Sequence, residues 1–394
     1  MMRKTEPQTR ELELGDRLLT RIHAGPPSAN GPPTLLPATT YTDPERHRAE
    51  VASVAAHPVA VVAASEIATP GAFITTTLAD RNIIITRDRD GDVHAMLNAC
   101  AHRGATVETR HSGTARILSC GFHGWPYELD GTLRAVADAP LFASEPCKKA
   151  LRSLTCEERH GIIWVIPDAE HDKHVADWLG PDIDQLLTDL GAGAMVHHAS
   201  TDYDLECNWK LLTDGFLEIY HLQYLHRNSI APYFPANTNL TERHGNHFIG
   251  WLPKNRLVRD LTEQPRDTWQ VYNGLTGAIV LTPGTVIQWQ AGHIELFSLR
   301  PHPTDPTRTM ARLTMLVPAD RVDNSELWDR NWERVCETIP NEDFAAAVDV
   351  QRNINAGAVE QLQIGANEHA LIEHLDAVLS TAALVERDQV RSAR

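Results

Sequence analysis

Four metal-binding side chains occur in two short segments of similar pattern. The first reads Cys100-Ala-His102-Arg-Gly, the second reads Cys120-Gly-Phe-His123-Gly-Trp125, and 17 residues separate His102 from Cys120. Two thiolates and two imidazoles can hold tetrahedral zinc, or a [2Fe–2S] cluster with two cysteines on one iron and two histidines on the other. Zinc sites typically pair cysteine with cysteine and histidine with histidine, whereas here each segment supplies one of each. The spacing therefore favours the cluster and leaves structural zinc as the alternative.

A second group of chemistry-bearing residues lies further along the chain. It reads Asn208-Trp-Lys-Leu-Leu-Thr-Asp214-Gly-Phe-Leu-Glu218-Ile-Tyr-His221-Leu-Gln-Tyr-Leu-His226. On a helix, Glu218 and His221 share a face with Asp214, but His226 lies five residues beyond His221, about 140° further round the axis. His226 must therefore follow a helix end or a distortion. Two imidazoles and one carboxylate with open positions form the facial triad with which Fe(II) binds and activates oxygen.

The same segment could belong to a di-iron site or to no metal site at all. Glu-x-x-His is also the motif of di-iron carboxylate sites, but such sites require several helices and this chain is rich in β-type runs. The same string recurs at Glu108/His111 and Glu157/His160, so the motif is weak by itself. In a chain with 20 histidines, His221 and His226 could also be ordinary partly buried side chains.

The first pair of segments resembles the two boxes of the Rieske family, C-x-H and C-x-x-H, which lie at the tips of two loops of a β domain. Rieske proteins of respiratory complexes carry an extra disulfide-bonded Cys in each box and a Ser after the second His-Gly. This sequence has Ala105, Phe122 and Trp125 at those positions. Since a missing hydroxyl donor lowers the reduction potential of the cluster, we expect a low-potential cluster that receives electrons from a reductase.

The second segment resembles the catalytic domain of Rieske non-haem iron oxygenases, the ring-hydroxylating alpha subunits and the choline- and carnitine-monooxygenase-like enzymes. The resemblance implies that His221 and His226 are iron ligands and that Glu218 is the acid that bridges to a cluster histidine, His102 or His123, of the next subunit. Most family members have Asp at that position, and Glu resembles the subgroup acting on quaternary ammonium compounds. The resemblance assigns three residues to catalysis: Glu218, Asp214 and Asn208. The role of Asp214 stays open, because Asp214-Gly215 departs from the commoner Glu-Asn.

The third iron ligand should be a carboxylate about a hundred or more residues downstream. We assign Asp343, because Asn341-Glu342-Asp343 follows Pro340 and Gln351 lies eight residues after Asp343, as in the Glu-Asp…Gln pattern of the family. The spacing predicts that a helix opens here with Asn341 as its N-cap. Glu342 shares the position, and either acid could simply interact favourably with the helix dipole.

The family binds its substrate between the helix of His221 and the antiparallel sheet. Four aromatic residues are therefore candidates for the pocket wall: Tyr224, Trp251, Trp289 and Phe297. Their faces could stack on an arene or enclose a trimethylammonium group, although plain core packing would account for each of them equally well.

The elements that must position these residues divide the chain in three. Residues 1–40 are expected to form a helix over 11–24 and an extended arm. Residues 41–170 carry short β-type runs, among them 72–78, 82–87, 93–97 and 161–166, with a hairpin at Asp90-Gly91 and a polar connector up to about Gly180. Residues 171–394 show helical spacing over 205–220, strand-like runs over 248–252, 278–281, 286–290, 294–299 and 309–317, and helices over 326–336, 342–355 and 367–384. The order of strands and then helices predicts an α+β fold with an antiparallel sheet. The resemblance implies that it consists of an N-terminal all-β Rieske domain followed by a helix-grip catalytic domain.

Composition limits the function classes. The 394 residues carry a net charge of −16, which disfavours nucleic-acid binding. No apolar run would span a membrane, and six cysteines in a chain of this length suggest reduced thiols, so we expect a cytoplasmic protein. The resemblance implies a [2Fe–2S] cluster, a mononuclear Fe(II), O2 as cosubstrate and a homotrimer or hexamer. Because the chain has no Gly-x-Gly-x-x-Gly fingerprint, NAD(P)H would act through a separate reductase, with or without a ferredoxin. The competing hypothesis is a non-catalytic Rieske electron-transfer protein.

Overall fold

The computed structural model describes residues 5–25, 33–78, 81–136, 138–141, 149–167 and 174–392. The chain forms two compact units, one made of Met1–Val54 with Leu179–Arg394 and the other of Ala55–Trp178. The middle of the expected N-terminal arm, residues 26–32, most of the polar connector, residues 168–173, and Cys147 lie outside the described residues. The domain boundaries expected at residues 40 and 170 stay a prediction.

The helices are α1 Glu6–Ala24, α2 Pro44–Ala55, α3 Val175–Asp189, α4 Trp209–Leu217, α5 Leu222–Leu225, α6 Asn255–Glu263, α7 Ser325–Thr338, α8 Ala345–Asn355 and α9 His369–Ser392. The strands are β1 Thr34–Pro37, β2 Val59–Ala63, β3 Ala72–Leu78, β4 Arg81–Arg87, β5 Val93–Leu97, β6 Ser112–Thr114, β7 Leu118–Ser119, β8 Pro126–Tyr127, β9 Ser153–Arg159, β10 Ile162–Ile166, β11 Met195–Leu205, β12 Leu240–His244, β13 His247–Pro253, β14 Leu275–Leu281, β15 Thr285–Gln290, β16 Ile294–Pro301, β17 Thr309–Pro318 and β18 Gln361–Ile364. In the described part of the chain, no helix is both long enough and apolar enough to cross a membrane.

The unit Ala55–Trp178 is built on an antiparallel sheet in the order β2-β10-β9-β5-β4-β3-β6, with β7 and β8 as a separate pair. The expected strands over 72–78, 82–87, 93–97 and 161–166 are confirmed, and β4 and β5 form the expected hairpin. Gly91 has a φ of +94° in its turn, a conformation that a side chain would strain. The all-β expectation is wrong for residues 44–55, where Asp43 caps α2 by accepting from the backbone N–H of Arg46 at 2.7 Å.

The other unit is built on a seven-stranded antiparallel sheet in the order β11-β17-β16-β15-β14-β13-β12. One register row crosses five strands and is buried throughout: Phe248, Val280, Val286, Phe297 and Leu313. Leu212 and Leu217 of α4 belong to the same core, so α4 lies across this face of the sheet. Each such side chain stabilises the fold by about 1.5–3 kcal/mol when fully buried. The helix-grip architecture expected from the sequence is confirmed.

Several boundaries differ from the sequence-based expectation. The helix expected over 205–220 begins only at Trp209, because the preceding residues complete β11, a strand that the sequence did not predict. Polar side chains alternate along β11 at its position on the edge of the sheet, so it lacks an apolar run. The connector expected to continue to Gly180 already contains the start of α3.

The N-terminal helix is confirmed and begins earlier than expected, at Glu6. It packs on α6 and β12, and a Cβ at Gly15 would lie 2.8 Å from the Trp269 ring, so only glycine permits this approach. The described end of the arm is β1, which pairs with β18. Helix and arm thus belong to the same compact unit as the seven-stranded sheet.

Candidate metal centres

The two Cys/His segments form two loops with the same hydrogen bonding. The backbone N–H of Cys100 donates to the carbonyl of Ala105 at 2.8 Å, and that of Cys120 donates to the carbonyl of Trp125 at 3.0 Å. Within each loop the glycine after the histidine donates back to the cysteine carbonyl, at 2.8 Å and 2.9 Å. Both glycines, Gly104 and Gly124, have positive φ, +76° and +68°, and this backbone conformation favours glycine at the end of each box.

These loops bring the four predicted cluster residues together, with the cysteines toward the protein interior and the histidines toward the surface. The thiols of Cys100 and Cys120 are buried, whereas His123 is exposed and His102 is half-buried. The two imidazole centroids lie 4.7 Å apart. Buried thiolates and outward imidazoles on paired loops suit a [2Fe–2S] cluster ligated by two cysteines and two histidines, and we propose that these four residues hold it.

Two aromatic side chains support these loops. The Tyr127 hydroxyl lies 3.1 Å from Sγ of Cys100 and accepts from the backbone N–H of Ala101 at 3.1 Å. Burial raises the pKa of Tyr127, and Cys100 raises it further, so the hydroxyl keeps its proton. The Trp125 ring stacks on His102 at 4.8 Å. Tyr127 was not predicted from the sequence, although it follows the second box by only a few residues.

Asn208 lies at the start of the helix that leads to the second site. As the N-cap of α4, it accepts from the backbone N–H of Lys210 at 3.0 Å and donates to the carbonyl of Tyr41 at 3.1 Å. Its own N–H donates to Oε1 of Gln351 at 2.9 Å. This places Asn208 and Glu218 at opposite ends of α4, so Asn208 positions the helix and is not in contact with the iron-ligand set.

The expected interruption of the helix before His226 is confirmed. α4 ends at Leu217, with Glu218 as its C-cap, and the short helix α5 runs between His221 and His226. The expectation that Asp214, Glu218 and His221 share one helix is therefore wrong. The change of direction at Glu218 turns both histidine rings toward each other, with centroids 5.1 Å apart.

The side chains of His221, His226 and Asp343 converge. Their candidate ligand atoms all lie within 4.8 Å of one another, and Oδ1 of Asp343 is 3.2 Å from Nε2 of His226 and 3.6 Å from Nε2 of His221. Oδ2 of Asp343 is buried without a hydrogen-bond partner in the described part of the chain. Two imidazoles and one carboxylate are the donor set of a non-haem Fe(II) site, and these residues fit it.

Two further carboxylates fix which nitrogen of each imidazole faces the centre. Nδ1 of His221 is hydrogen bonded to Glu218, and Nδ1 of His226 is hydrogen bonded to Glu342. Each Nδ1 therefore carries the proton, which leaves the two Nε2 atoms as ligands. Burial by itself lowers the pKa of His226, but Asp343 and Glu342 outweigh it and raise that pKa. The surplus of negative charge suits a divalent cation.

Asp343 lies in a π-helical turn, Ile339–Phe344, that joins α7 to α8. The prediction that Asn341 caps a new helix is wrong, because the helix is continuous and the Asn341 amide donates to the carbonyl of Glu337 at 2.8 Å. The wider turn rotates two successive acids onto one face, a use of π-turns that is frequent at functional sites. The sequence could not separate Glu342 from Asp343; the structure directs Asp343 to both Nε2 atoms and Glu342 to the far side of His226.

Asp214 lies behind the metal centre in a buried polar network. It accepts a hydrogen bond from the Tyr41 hydroxyl at 2.7 Å, and burial raises its pKa to about 7, against the opposing effects of Tyr41 and Lys210. Lys210 is itself buried and pairs with Glu50 at 2.6 Å. Tyr41, Lys210 and Glu50 were not predicted from the sequence, because their partners are distant in the chain.

A cavity of about 360 Å³ opens beside the three candidate ligands, between α4, α7 and the sheet. Of the four aromatic candidates, Trp251 borders the cavity, but its indole lies over Gly277 on the opposite face of the sheet and donates to Glu242 at 3.0 Å. The prediction is wrong for the other three. Tyr224 is 67% exposed, Trp289 points to the opposite face of β15 and donates to the carbonyl of Tyr272, and Phe297 packs behind Phe216 in the core. The short length of α5 decides the position of Tyr224, strand alternation that of Trp289, and the register row that of Phe297, and residue type reveals none of these.

Two family models match the chain. The "Rieske [2Fe-2S] domain" matches residues 57–145, and the "Ring hydroxylating alpha subunit (catalytic domain)" matches residues 192–381. Together they take up more than half of the chain and include all of the residues assigned above to the two centres. The chain belongs to the family of Rieske non-haem iron oxygenase alpha subunits.

Curated relatives agree with this family. The chain is 32% identical over 174 residues to the anthranilate 1,2-dioxygenase large subunit of Acinetobacter baylyi, a match that covers 42% of this chain and 37% of that protein. It is 26% identical over 369 residues to the glycine betaine monooxygenase oxygenase subunit of Chromohalobacter salexigens, covering 82% and 80%. With choline monooxygenase of Beta vulgaris it shares 26% over 215 residues, covering 52% and 48%. The chain thus matches about half or less of two of these relatives and most of the third.

Solved structures share the fold. The quaternary ammonium Rieske monooxygenase CntA superimposes with a TM-score of 0.75 at 21% identity, over 90% of this chain and 96% of that one. Naphthalene 1,2-dioxygenase from Rhodococcus sp. superimposes with a TM-score of 0.71 at 19% identity, over 94% and 98%. At these identities the likeness concerns the fold alone.

Proposed function

We propose that this protein is the terminal oxygenase component of a Rieske non-haem iron system. It would use O2 and electrons from NAD(P)H, delivered by a separate reductase, to hydroxylate or oxidatively dealkylate a small organic substrate. The observation that carries this proposal is the convergence of His221, His226 and Asp343 on one point at the wall of a cavity large enough for a small molecule.

The metal would be held by Nε2 of His221, Nε2 of His226 and the carboxylate of Asp343. When bound, Fe(II) supplies open positions for oxygen and a site at which oxygen can be reduced. Around it, Glu218 and Glu342 keep the two imidazoles in the tautomer that ligation needs, and Ser229 donates to Oε2 of Glu342 at 2.7 Å. This second layer of hydrogen bonds holds the ligands in place before any metal binds.

Glu218 is the residue that we propose as the route for electrons from a cluster on a neighbouring copy, in a homotrimer or hexamer. Two observations support this role. Glu218 caps the end of α4, where the chain changes direction, and its carboxylate is hydrogen bonded to a candidate iron ligand, His221. A side chain in that position couples directly to the metal centre without occupying a ligand position.

The names of the relatives support two substrate classes. Several act on aromatic acids, namely anthranilate, toluate and 2-halobenzoate, and two act on glycine betaine or choline. We propose a substrate of comparable size, either aromatic or carrying a quaternary ammonium group. The proposal includes both mono- and dioxygenation, because the relatives include both monooxygenases and dioxygenases.

Nitric oxide binding followed by electron paramagnetic resonance tests the proposal, because nitric oxide reports Fe(II) with an open position. We expect the reduced, iron-replete protein to show a Rieske signal together with a ferrous–nitric oxide signal, and the second signal to change shape with one class of compounds. The panel would contain aromatic acids, arenes, steroids and quaternary amines. A Rieske signal without any nitric oxide signal would support the alternative function, a non-catalytic electron-transfer protein.

A further inference from the structure

The cavity beside the candidate iron ligands has a floor of small and polar side chains. One register row crosses five strands from Thr241 through Gly250, Ala278 and Gln288 to Glu295. All five line the cavity. Gln288 is only 9% exposed and Glu295 only 5%, so both polar groups are removed from bulk water. The neighbouring row on this face is the apolar core, so Gln288 and Glu295 place polar groups in a cavity that is otherwise largely apolar, the arrangement by which binding sites orient a ligand.

The Gln288 amide has no hydrogen-bond partner among the residues that the structure describes. Its neighbour Gln290 differs, since Oε1 of Gln290 accepts from the Thr276 hydroxyl at 2.8 Å. The amide atoms of Gln288 are not fully enclosed by protein and line the cavity, where a ligand or an ordered water completes their hydrogen bonds. Gln288 is therefore available to a molecule in the cavity.

Two cations line the same cavity. Lys254 follows the end of β13, and Arg334 lies on α7, exposed to solvent where the cavity opens. Neither forms an ion pair with a carboxylate in the described part of the chain. Burial lowers the pKa of Lys254, an effect that Glu295 opposes and Arg334 reinforces. The ammonium and guanidinium groups thus have no ion-pair partner among the described residues, and an anionic ligand would supply one.

The negative charge of Glu295 does not remove the preference of this part of the cavity for an anionic ligand. Its Oε1 lies 3.4 Å from Nε2 of His293, and its charge also acts on Lys254. Glu218 and Asp343 also line the cavity but belong to the metal centre, so away from it Glu295 is the one lining carboxylate in the described part of the chain, against Lys254 and Arg334, and this part of the cavity favours a negative charge on the ligand. A positively charged group placed here would be repelled by both Lys254 and Arg334.

We infer that the substrate carries an anionic group of the carboxylate or sulfonate class, bound by Lys254 and Arg334 with the Gln288 amide on the cavity floor. The inference rests on the proposed oxygenase function. Arg334 precedes Asp343 by nine residues along one continuous helix, about 13 Å at the usual rise per residue. The anionic group and the reacting carbon therefore belong to different ends of the substrate. An arginine fork and a lysine ammonium together would orient it.

Calorimetric binding to the anaerobic protein with both centres loaded tests this inference. The probes form three sets, and each set contains an acid, a sulfonate, an amide and an amine of similar shape. The first set is benzoate, benzenesulfonate, benzamide and benzylamine. The other two sets carry the same four groups on a phenylethyl or a butyl frame. We expect the tightest ligand to be an acid or a sulfonate that binds at least tenfold more tightly than its own amide. Comparison of each carboxylate with the sulfonate on the same frame shows which anion binds more tightly.

Substitution then assigns the residues. We expect Lys254→Gln combined with Arg334→Gln to remove most of the difference between acid and amide, and Gln288→Leu to weaken both ligands. Arg330→Gln is the matched control, because Arg330 is exposed on the same helix one turn earlier and does not line the cavity. Its binding should equal that of the unmodified protein.

The inference is overturned if the tightest ligand is an amide or an amine, if no acid or sulfonate binds, or if the Lys254/Arg334 double variant keeps the full preference. This outcome is separable from a failure of the oxygenase proposal. Loss of the ferrous–nitric oxide signal would reject the oxygenase while leaving anion binding measurable. Conversely, that signal together with no anion binding would reject only the substrate class.

Discussion

Nε2 of His226 lies 3.2 Å from Oδ1 of Asp343, although more than a hundred residues separate them in the chain. His226 lies at the end of the short helix α5, and Asp343 lies in the π-helical turn between α7 and α8. Neither element is a regular helix of ordinary length. The irregular backbone at both positions turns the side chains inward, which a straight helix at the same residues would not do.

Asp343 and Glu342 differ in what they contact, which gives a first prediction. We expect Asp343→Ala to abolish mononuclear iron binding, since it removes a ligand. Glu342→Ala should weaken iron binding about 10–100-fold, because it removes the acceptor that orients His226. Iron content relative to cluster absorbance, measured after graded chelation, checks both. Glu337→Gln, on the exposed side of α7, should behave like the unmodified protein.

The proposed electron route through Glu218 gives a second prediction. Glu218→Gln keeps the shape of the side chain and should retain both metal centres, while substrate-dependent oxygen consumption is lost. Metal analysis and an oxygen electrode measure the two effects on the same preparation. Full turnover in Glu218→Gln would refute the bridging role, and loss of iron together with turnover would point to support of His221 alone.

The cluster potential gives a third prediction. Trp125 replaces the hydroxyl donor of high-potential Rieske proteins and stacks on His102, so we expect a midpoint in the lower part of the roughly −150 to +300 mV Rieske range. Tyr127→Phe removes the remaining hydroxyl near Cys100 and should lower the potential further without loss of the cluster. Redox titration followed by visible absorbance measures both. A midpoint well above zero millivolts would contradict the assignment.

Asp214 gives a fourth prediction, on pH. Burial raises the pKa of Asp214 to about 7 from an ordinary value of 3.8, so between these values the folded state binds a proton that the unfolded state has released. Stability must then fall as pH rises through this window, by at most roughly 1.4 kcal/mol per pH unit. We expect Asp214→Asn to flatten this decline, as followed by urea unfolding at pH 5 and 7.5. Asp349→Asn, an exposed carboxylate on α8, is the control and should leave the decline unchanged.

The sequence was sufficient where chemistry depends on residues close together in the chain. Cys100 with His102, Cys120 with His123, and His221 with His226 each lie within one short segment, so their spacing indicated two metal centres and the family resemblance indicated iron at both. The apolar runs of the central strands were equally readable, because one buried row crosses the sheet from Phe248 to Leu313. The edge strand β11 lacks such a run and was missed.

Tertiary structure decided what depends on contacts between distant segments. Asp343 and Glu342 are adjacent acids, and only the π-helical turn distinguishes ligand from supporting partner. The cavity wall depended on the face and the register row of each side chain: Gln288 lines it, Trp289 lies on the opposite face of the sheet, and Phe297 lies in the adjacent core row. Residue type and spacing thus indicated which side chains could hold metals, and the packing of sheet against helices determined which charged side chains line the cavity beside them.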